Sequence, residues 1–248
     1  MQARHCVLDP TAHSAIGKNL CALAVMTKAP RAGQVKTRLV PPLSPEEAAQ
    51  LNTCFLRDTA AAIAKARGTI ARGVAVYTPI GAEAAYIDVL PGDFDLVPQR
   101  GDGFGERLVL AADDLFQCGF ASLCLIDSDS PTVSADVYAE AVAMLSKPGD
   151  RVVLGPSDDG GYYLIGLKKS RRELFERIDW STERVLEQTK QRARELSLEV
   201  SLLPTGYDVD DATTLRRLCD ELLSEKSARD LAPNTRGFLA ALTARKKL

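Results

Sequence analysis

Residues 21–66 read CALAVMTKAPRAGQVKTRLVPPLSPEEAAQLNTCFLRDTAAAIAKA, and the architecture of the chain can be inferred outward from them. The apolar run CALAVMT is typical of a buried strand, and a cationic loop follows it. The next segment has helical spacing of its apolar residues and begins with Ser44 and Pro45, which are typical of a helix cap and first turn. The stretch therefore predicts a strand, a loop and a helix in succession.

The same alternation of apolar runs and helical segments continues along the chain. Strands are predicted at 21–27, 73–78, 121–126, 151–155, 162–167 and 198–203. Helices are predicted at 44–66, 104–117, 134–146, 181–196, 211–225 and 235–246. This order is typical of an α/β fold with a mostly parallel sheet flanked by helices. The six residues PSDDGG between the fourth and fifth strands are too few for a crossover helix, so these two strands either form an antiparallel hairpin or lie apart. The sheet is therefore predicted to be mixed.

The 248 residues contain no internal repeat and no linker rich in proline and glycine, so we expect a single domain over 20–248. Residues 1–19 lack apolar periodicity and are predicted to form a flexible N-terminal extension. No apolar run reaches the roughly 18 residues that a spanning helix needs. The opening stretch also lacks the apolar centre of a signal peptide, so we expect a cytoplasmic protein without a membrane span.

The composition excludes several function classes. Lys and Arg total 31 against 33 for Asp and Glu, and a formal net charge of -2 provides no basic field to attract nucleic acid. The only histidines are His5 and His13, both in the predicted extension, which disfavours a Ser-His-Asp triad or an HExxH metal site. The six cysteines include no CxxC pair, which favours reduced thiols over a disulfide framework or a zinc site. Any chemistry must therefore use carboxylates, cations, hydroxyls and backbone amides.

A cationic loop follows the first strand. Its positive side chains are Lys28, Arg31, Lys36 and Arg38. Open α/β sheets bind ligands at the carboxyl ends of their strands, and fixed ammonium and guanidinium groups suit the phosphates of a nucleotide. The alternative is a solvated basic loop whose surface pairs contribute about 0–1 kcal/mol each. It is not a Walker loop, because GxxxxGK[ST] is absent.

Two acidic segments are candidates for a metal site. In IDSDSP, Asp127 and Asp129 point to the same side of a strand end, and such oxygen ligands suit Mg²⁺ or Mn²⁺. The alternative is a simple turn, for which Asp and Ser are common residues. In YDVDDATTL, Asp208 and Asp210 alternate in the same way, whereas Asp211 is better explained as a helix cap.

Two glycine-rich segments are further candidates. In GPSDDGGYYLIGL the acids Asp158 and Asp159 precede Gly160 and Gly161, which permit close approach of the backbone to a ligand. The alternative for this segment is a hairpin turn. In QRGDGFGERL, at 99–108, the glycine spacing differs from the dinucleotide fingerprint, and either a flexible ligand loop or a plain helix entry fits it.

With TKAPRAGQVKTRL, QRGDGFGERL, IDSDSP, GPSDDGGYYLIGL and YDVDDATTL in this order, the chain resembles the bacterial glycosyltransferases often labelled for arsenosugar biosynthesis. The resemblance covers about residues 21–225. It implies a single-domain, Rossmann-like GT-A nucleotide-diphospho-sugar transferase fold, and a relation to the molybdopterin and 2-phospholactate nucleotidyltransferases. Fold alone does not establish the reaction.

The resemblance also implies roles for individual residues. Lys36 and Arg38 would hold the donor phosphates, and Asp129 would bind the metal ion, with Asp210 at the position that completes the metal site in the nucleotidyltransferases. The pocket for the nucleotide base or the substrate would be lined by the loop from Gln99 to Gly105, including Gln99, Gly101 and Gly103.

The chain also departs from the patterns that it resembles. Asp127 stands where the family usually has glycine, which weakens its candidacy as a metal ligand relative to Asp129. Thr214 stands at a position that is often acidic. The GGxGxR loop of sugar nucleotidyltransferases is absent, so their mode of base recognition does not transfer to this chain.

We therefore expect a Mg²⁺- or Mn²⁺-dependent glycosyltransferase that moves a sugar from a nucleotide diphosphate to a small-molecule acceptor. Asp158 or Asp159 would act as general base, next to an acceptor loop formed by Gly160 and Gly161. A nucleotidyltransferase that uses a nucleoside triphosphate and releases pyrophosphate is the alternative, and the missing GGxGxR loop disfavours it. A non-catalytic nucleotide-binding protein is a second alternative, and the clustered like charges disfavour it. A homodimer is compatible with each of these functions.

Overall fold

A mixed β-sheet organises the computed structural model, which describes residues 5–12, 19–225 and 227–246. Within these residues eight strands pair in the order β1-β4-β3-β2-β5-β7-β6-β8. Their bounds are β1 Cys6–Val7, β2 Cys21–Lys28, β3 Ala71–Thr78, β4 Asp95–Pro98, β5 Ser122–Ile126, β6 Arg151–Pro156, β7 Tyr162–Leu167 and β8 Glu199–Leu202. β7 runs antiparallel to both of its neighbours, and the remaining neighbours are parallel.

Helices cover both faces of the sheet. Their bounds are α1 Pro45–Ala66, α2 Phe104–Gln117, α3 Ala135–Ser146, α4 Val185–Glu195, α5 Ala212–Leu223 and α6 Pro233–Lys246. Successive side chains of a strand point to opposite faces, so Leu23 of β2 packs with α1 and α3 while its neighbour Ala24 packs with α2. The helices α5 and α6 pack against the outer side of α1, around Phe55. The central strands are therefore buried on both faces.

The mixed α/β fold and its antiparallel pair confirm the sequence prediction. Ser44 caps α1, because its side chain accepts a hydrogen bond from the backbone N–H of Glu47, whose carboxylate in turn accepts from the N–H of Ser44. The sequence did not predict the short strands β1 and β4. The helix predicted from residue 181 begins only at Val185, because the preceding residues form turns.

The flexible extension predicted over 1–19 requires correction for residues 5–12. In this stretch β1 pairs parallel with β4, in register from Cys6 opposite Asp95. The ring nitrogens of His5 lie 3.0 Å from the carbonyl oxygen of Phe94 and 3.2 Å from that of Tyr86. Backbone pairing at a sheet edge needs no apolar periodicity, so no sequence pattern indicated this strand. Residues 1–4 and 13–18, including His13, lie outside the described residues.

Among the described residues, no helix combines the length and the apolar composition that crossing a bilayer requires.

Asp58 joins the long helix α1 to the start of α6. Its side chain is buried, and it accepts hydrogen bonds from the backbone N–H groups of Asn234, at 3.0 Å, and Thr235, at 2.8 Å. The side-chain amide of Asn234 donates a third bond, at 2.7 Å. The first N–H groups of a helix have no partner within the helix, and a carboxylate satisfies both their hydrogen bonds and the helix dipole.

We predict that Asp58→Ala lowers the free energy of unfolding by about 1–3 kcal/mol, because it leaves these buried donors without an acceptor. Urea denaturation measures the change. Asp220→Ala is the control, at an exposed position of α5, and should change the stability by less than about 0.5 kcal/mol. Equal stability of the two variants would contradict the role of Asp58.

Candidate functional site

A cleft of about 570 Å³ opens where the loops at the carboxyl ends of the parallel strands meet. Its lining includes five aspartates, namely Asp127, Asp129, Asp159, Asp208 and Asp210. A second cavity of about 250 Å³ lies beside it and is lined by the cationic loop, including Lys28, Lys36 and Arg38. Asp129, Asp210 and Arg38 line both cavities, so these residues stand at the boundary between them. The cleft on one side of this boundary is therefore acidic, and the smaller cavity on the other side is basic.

Lys36 links the three segments that form this boundary. Its ammonium lies 2.8 Å from a carboxylate oxygen of Asp129 and 2.9 Å from one of Asp210, and it donates a hydrogen bond of 2.7 Å to the carbonyl oxygen of Val209. The side chain is only 5% exposed, and the ammonium lies 5.6 Å from the ring centroid of Phe55. One buried cation therefore joins the loop after β2 to the end of β5 and to the segment before α5.

The electrostatic environment keeps this lysine charged. Burial alone would lower the pKa of Lys36, but the negative charges of Asp129 and Asp210 and their hydrogen bonds outweigh burial and raise the pKa above its ordinary value. The ammonium in turn offsets the repulsion between the two carboxylates. The backbone of Lys36 has φ of 49°, a left-handed conformation that directs the chain into the short helical turn at Thr37–Leu39.

The remaining predicted phosphate-binding cations differ in position. Arg38 is 71% exposed, and its guanidinium lies 3.7 Å from the second carboxylate oxygen of Asp210. Lys28 is exposed and lines the smaller cavity. Arg31 is exposed and lines neither of the two cavities. Three of the four cations are therefore beside the acidic pair, and Arg31 is apart from it.

Asp127 occupies a different environment from Asp129. Its carboxyl group accepts a hydrogen bond of 2.8 Å from the hydroxyl of Ser130 and lies 3.3 Å from the backbone nitrogen of Asp129. Burial, followed by the negative charge of Asp129, raises the pKa of Asp127 to about 8. This carboxyl group is therefore mostly protonated at neutral pH, and its contacts brace the turn after β5.

Asp208 lies in the cleft, although the sequence analysis favoured Asp210 over it. It accepts a hydrogen bond of 3.2 Å from the hydroxyl of Ser157. Burial raises the pKa of Asp208 to about 6, and the negative charges of Asp159 and Asp210 add to this shift. The sequence pattern that indicated Asp208 was its alternation with Asp210, since alternate residues of an extended segment point to the same side.

The two candidate general bases separate in the structure. Asp158 forms an ion pair with Arg217, whose guanidinium lies 3.7 Å above the ring centroid of Tyr207, and Asp158 does not line the described cleft. Asp159 lines the cleft and accepts a hydrogen bond of 2.8 Å from the N–H of Gly161, which also lines it. Adjacent residues of the turn thus point in different directions, and only Asp159 faces the cleft.

The sequence analysis assigned Gly160 to an acceptor loop. In the structure Gly160 has a packing role in the turn. Its φ of +90° is in the left-handed region, and a Cβ at this position would lie 2.1 Å from the carbonyl oxygen of Glu183. Its own carbonyl accepts a hydrogen bond of 2.9 Å from Leu186. Only glycine allows the segment that contains Glu183 to pack this closely against the turn.

The residues of the loop after β4 do not all line the cleft. Gln99 lines the cleft, whereas Gly101 and Gly103 do not appear in its lining. Gly101 has φ of +97°, and its carbonyl accepts a hydrogen bond of 3.1 Å from Arg107, so it shapes the turn that leads into α2. Phe104, of the same predicted loop, also lines the cleft, and lining residues to which the sequence analysis gave no role include Arg107, Trp180 and Glu183.

The acidic pair fits a divalent cation in its chemistry. Asp129 and Asp210 already converge on one cation, the ammonium of Lys36, and carboxylate oxygens are the ligands that Mg²⁺ and Mn²⁺ prefer. A metal ion and this ammonium cannot occupy the same position between the two carboxylates. Within the described residues, no three His, Cys, Asp or Glu side chains converge as a ready metal site.

Comparison with known proteins places the chain in a family. The family model described as "Uncharacterized protein conserved in bacteria (DUF2064)" matches residues 59–182, half of the chain, and the chain belongs to this family. A search of curated proteins found no match.

Solved structures share the fold. The chain is similar to a "putative nucleotide-diphospho-sugar transferase" from Desulfovibrio desulfuricans G20, with 28% identity, a TM-score of 0.79 and coverage of 90% of this chain and 95% of the other. A CMP:2-keto-3-deoxy-manno-octonic acid synthetase complexed with CTP has 10% identity, a TM-score of 0.52 and coverage of 80% and 96%. Rv0371C from Mycobacterium tuberculosis H37Rv in complex with manganese has 16% identity, a TM-score of 0.50 and coverage of 82% and 98%. These likenesses confirm the predicted nucleotide-diphospho-sugar transferase fold.

We predict that Lys36→Met lowers the free energy of unfolding by about 1–2 kcal/mol, because it leaves two neighbouring carboxylates without a cation. The loss is smaller than for a fully buried pair, since the carboxylates are 34% and 40% exposed. Urea denaturation at low salt measures it.

Arg38→Met is the matched control for this prediction. It also removes one positive charge beside Asp210, but from an exposed side chain, so the expected loss is below about 0.5 kcal/mol. If both variants lost the same stability, Lys36 would not have the joining role described above.

Proposed function

We propose that the chain is a nucleotide-using transferase, and that its reaction is the transfer of a sugar from a nucleotide diphosphate to a small-molecule acceptor. The observation that carries this proposal is the contact of Lys36 with both Asp129 and Asp210 at the edge of a deep cleft. At this point a cationic loop meets a pair of acids from separate segments. Binding of a diphosphate together with its divalent counter-ion requires both kinds of group.

The comparisons support the same proposal. The similar structure from Desulfovibrio desulfuricans G20 is described as a "putative nucleotide-diphospho-sugar transferase", and the match covers 90% of this chain. The motifs that resemble arsenosugar-type glycosyltransferases include all three segments that Lys36 joins. The absence of a GGxGxR loop favours glycosyl over nucleotidyl transfer.

The cations of the loop after β2 would bind the diphosphate. Arg38 stands at the boundary of the cleft, and Lys28 and Lys36 line the adjoining cavity. Negative charge on the leaving diphosphate increases as the glycosidic bond breaks, and fixed cations stabilise that charge without reorganisation. Arg38 is free to move onto a phosphate, because its side chain is largely exposed.

Asp129 and Asp210 would hold Mg²⁺ or Mn²⁺. When bound, such an ion neutralises diphosphate charge and orients the leaving group. The ammonium of Lys36 contacts one oxygen of each of these acids, and the other oxygen of each would be the one available to the ion. Lys36 would remain beside the acids and would face the donor phosphates from there.

Asp159 is the general base that the geometry favours. Its carboxylate lines the cleft, and the hydrogen bond from the N–H of Gly161 orients it. It would accept the proton of the acceptor hydroxyl as that oxygen attacks the sugar. Asp158 is held by Arg217 and would support the turn instead.

The direct test is a thermal-shift panel of nucleotides and nucleotide sugars with Mg²⁺ or Mn²⁺. A ligand at 100 times its dissociation constant stabilises the folded state by about 2.7 kcal/mol, so we expect a clear rise in Tm for at least one nucleotide sugar. Product analysis then shows whether a nucleoside diphosphate or pyrophosphate is released. Release of pyrophosphate would replace glycosyl with nucleotidyl transfer, and the absence of any stabilising nucleotide would overturn the proposal.

A pair of adjacent substitutions tests the assignment of the base. We expect Asp159→Asn to lower kcat by about 10²–10⁴-fold with little change in nucleotide affinity, because the proton acceptor is lost and the donor contacts remain. Asp158→Asn should retain activity within a few-fold. Steady-state kinetics with the donor found by the panel measures both variants. A larger loss for Asp158→Asn would reverse the assignment.

A further inference from the structure

The single tryptophan of the chain, Trp180, lines the cleft beside an exposed phenylalanine. Phe104 is the first residue of α2 and is 59% exposed. The two ring centroids lie 5.1 Å apart, with 54° between the ring planes. Scattered exposed apolar residues are ordinary, but two large aromatic rings side by side in the wall of a concave site are typical of ligand contact.

Glycine residues position this aromatic pair. A Cβ at Gly105 would lie 2.4 Å from the indole nitrogen of Trp180, so the start of α2 approaches the indole only because this residue has no side chain. On the other side, Gly160 allows the residues that follow Trp180 to pack against the turn, as the short distance to Glu183 shows. The position of the indole is therefore determined by the backbone on both sides.

The polar residues near the rings suit hydroxyl groups. Asp159 and Glu183 line the same cleft as Trp180 and Phe104, and both carboxylates are exposed to it. Carboxylates accept hydrogen bonds from hydroxyls and repel phosphates. A surface that combines aromatic faces with carboxylates matches a polyhydroxylated ring, which has C–H groups on one face and hydroxyls at its edge.

We propose that Trp180 and Phe104 form the binding surface for the sugar ring of the donor, with Glu183 as an acceptor for its hydroxyls. This inference rests on the proposed function and adds a sugar subsite to it. The tilt between the rings leaves no parallel slot in which a flat nucleobase could be sandwiched. The cations that suit the phosphates are on the loop after β2, a separate segment of the chain.

Trp180 is also the reporter for the test, because the chain has no other tryptophan. The wild-type protein is titrated with a nucleotide sugar, with the matching nucleoside diphosphate, with the nucleoside, and with methyl glycosides at millimolar concentration. Calorimetry records binding, and acrylamide quenching of tryptophan fluorescence records access to the indole. We expect the nucleotide sugar and the methyl glycosides to protect Trp180, and the nucleoside diphosphate to bind without protecting it.

The outcomes separate this inference from the proposed function. If no nucleotide binds in calorimetry, the proposed function fails, and the methyl glycosides still decide whether the aromatic pair binds sugar. If the nucleoside or its diphosphate protects Trp180 as well as the nucleotide sugar does, the pair contacts the base and the inference is overturned. The inference is also overturned if neither the nucleotide sugar nor the methyl glycosides protect Trp180.

Variants give a second, independent measurement. Trp180→Ala should weaken binding of the nucleotide sugar about five-fold, while affinity for the nucleoside diphosphate stays within about two-fold, and Trp180→Phe should retain most of the affinity. Gly105→Ala should reproduce the loss without removing any ligand contact, because the added methyl group displaces the indole. Gly237→Ala is the matched control, since a Cβ there meets no atom within 4 Å and α6 is away from the cleft. Equal losses for both ligands in Trp180→Ala, or none in Gly105→Ala, would contradict the sugar subsite.

Discussion

The buried ammonium of Lys36 is the interaction on which the organisation of the cleft depends. It binds Asp129, Asp210 and the carbonyl oxygen of Val209, and so holds together three segments that are distant in the sequence. A desolvated cation is unfavourable by itself and is stable only where its partners neutralise it. The loop after β2, the end of β5 and the approach to α5 must therefore adopt one arrangement.

The parallel strands make this arrangement available. β2 and β5 are neighbours in the sheet and run in the same direction, so the residues that follow them emerge at the same edge. The antiparallel strand β7 brings the turn with Asp159 to that edge as well, because β6 ends where β7 begins. The cationic loop, the acidic pair and the candidate base thus meet at one edge of the sheet, although each comes from a different loop.

Backbone geometry refines the cleft beyond what charge determines. Gly105 and Gly160 are positions where a side chain would collide with Trp180 or Glu183. At Asp158 and Asp159 the turn separates two acids that are chemically identical, since Arg217 binds the first and the cleft receives the second. The environments of the acids therefore differ through their neighbours, as for Asp127, where burial raises the pKa to about 8.

Local sequence determined six of the eight described strands, the six described α-helices, the Ser44 cap and the charged loops, because apolar periodicity and capping act over a few residues. The edge strand β1, held by backbone pairing and by His5, left no such pattern. Likewise, the sequence analysis predicted Asp158 or Asp159 as the general base without a choice between them, and it placed Gly160 in the acceptor loop. Only the tertiary structure decided which acid faces the cleft and that Trp180 lines it, because these facts depend on contacts between distant segments. Side-chain direction and packing of that kind have no local signature.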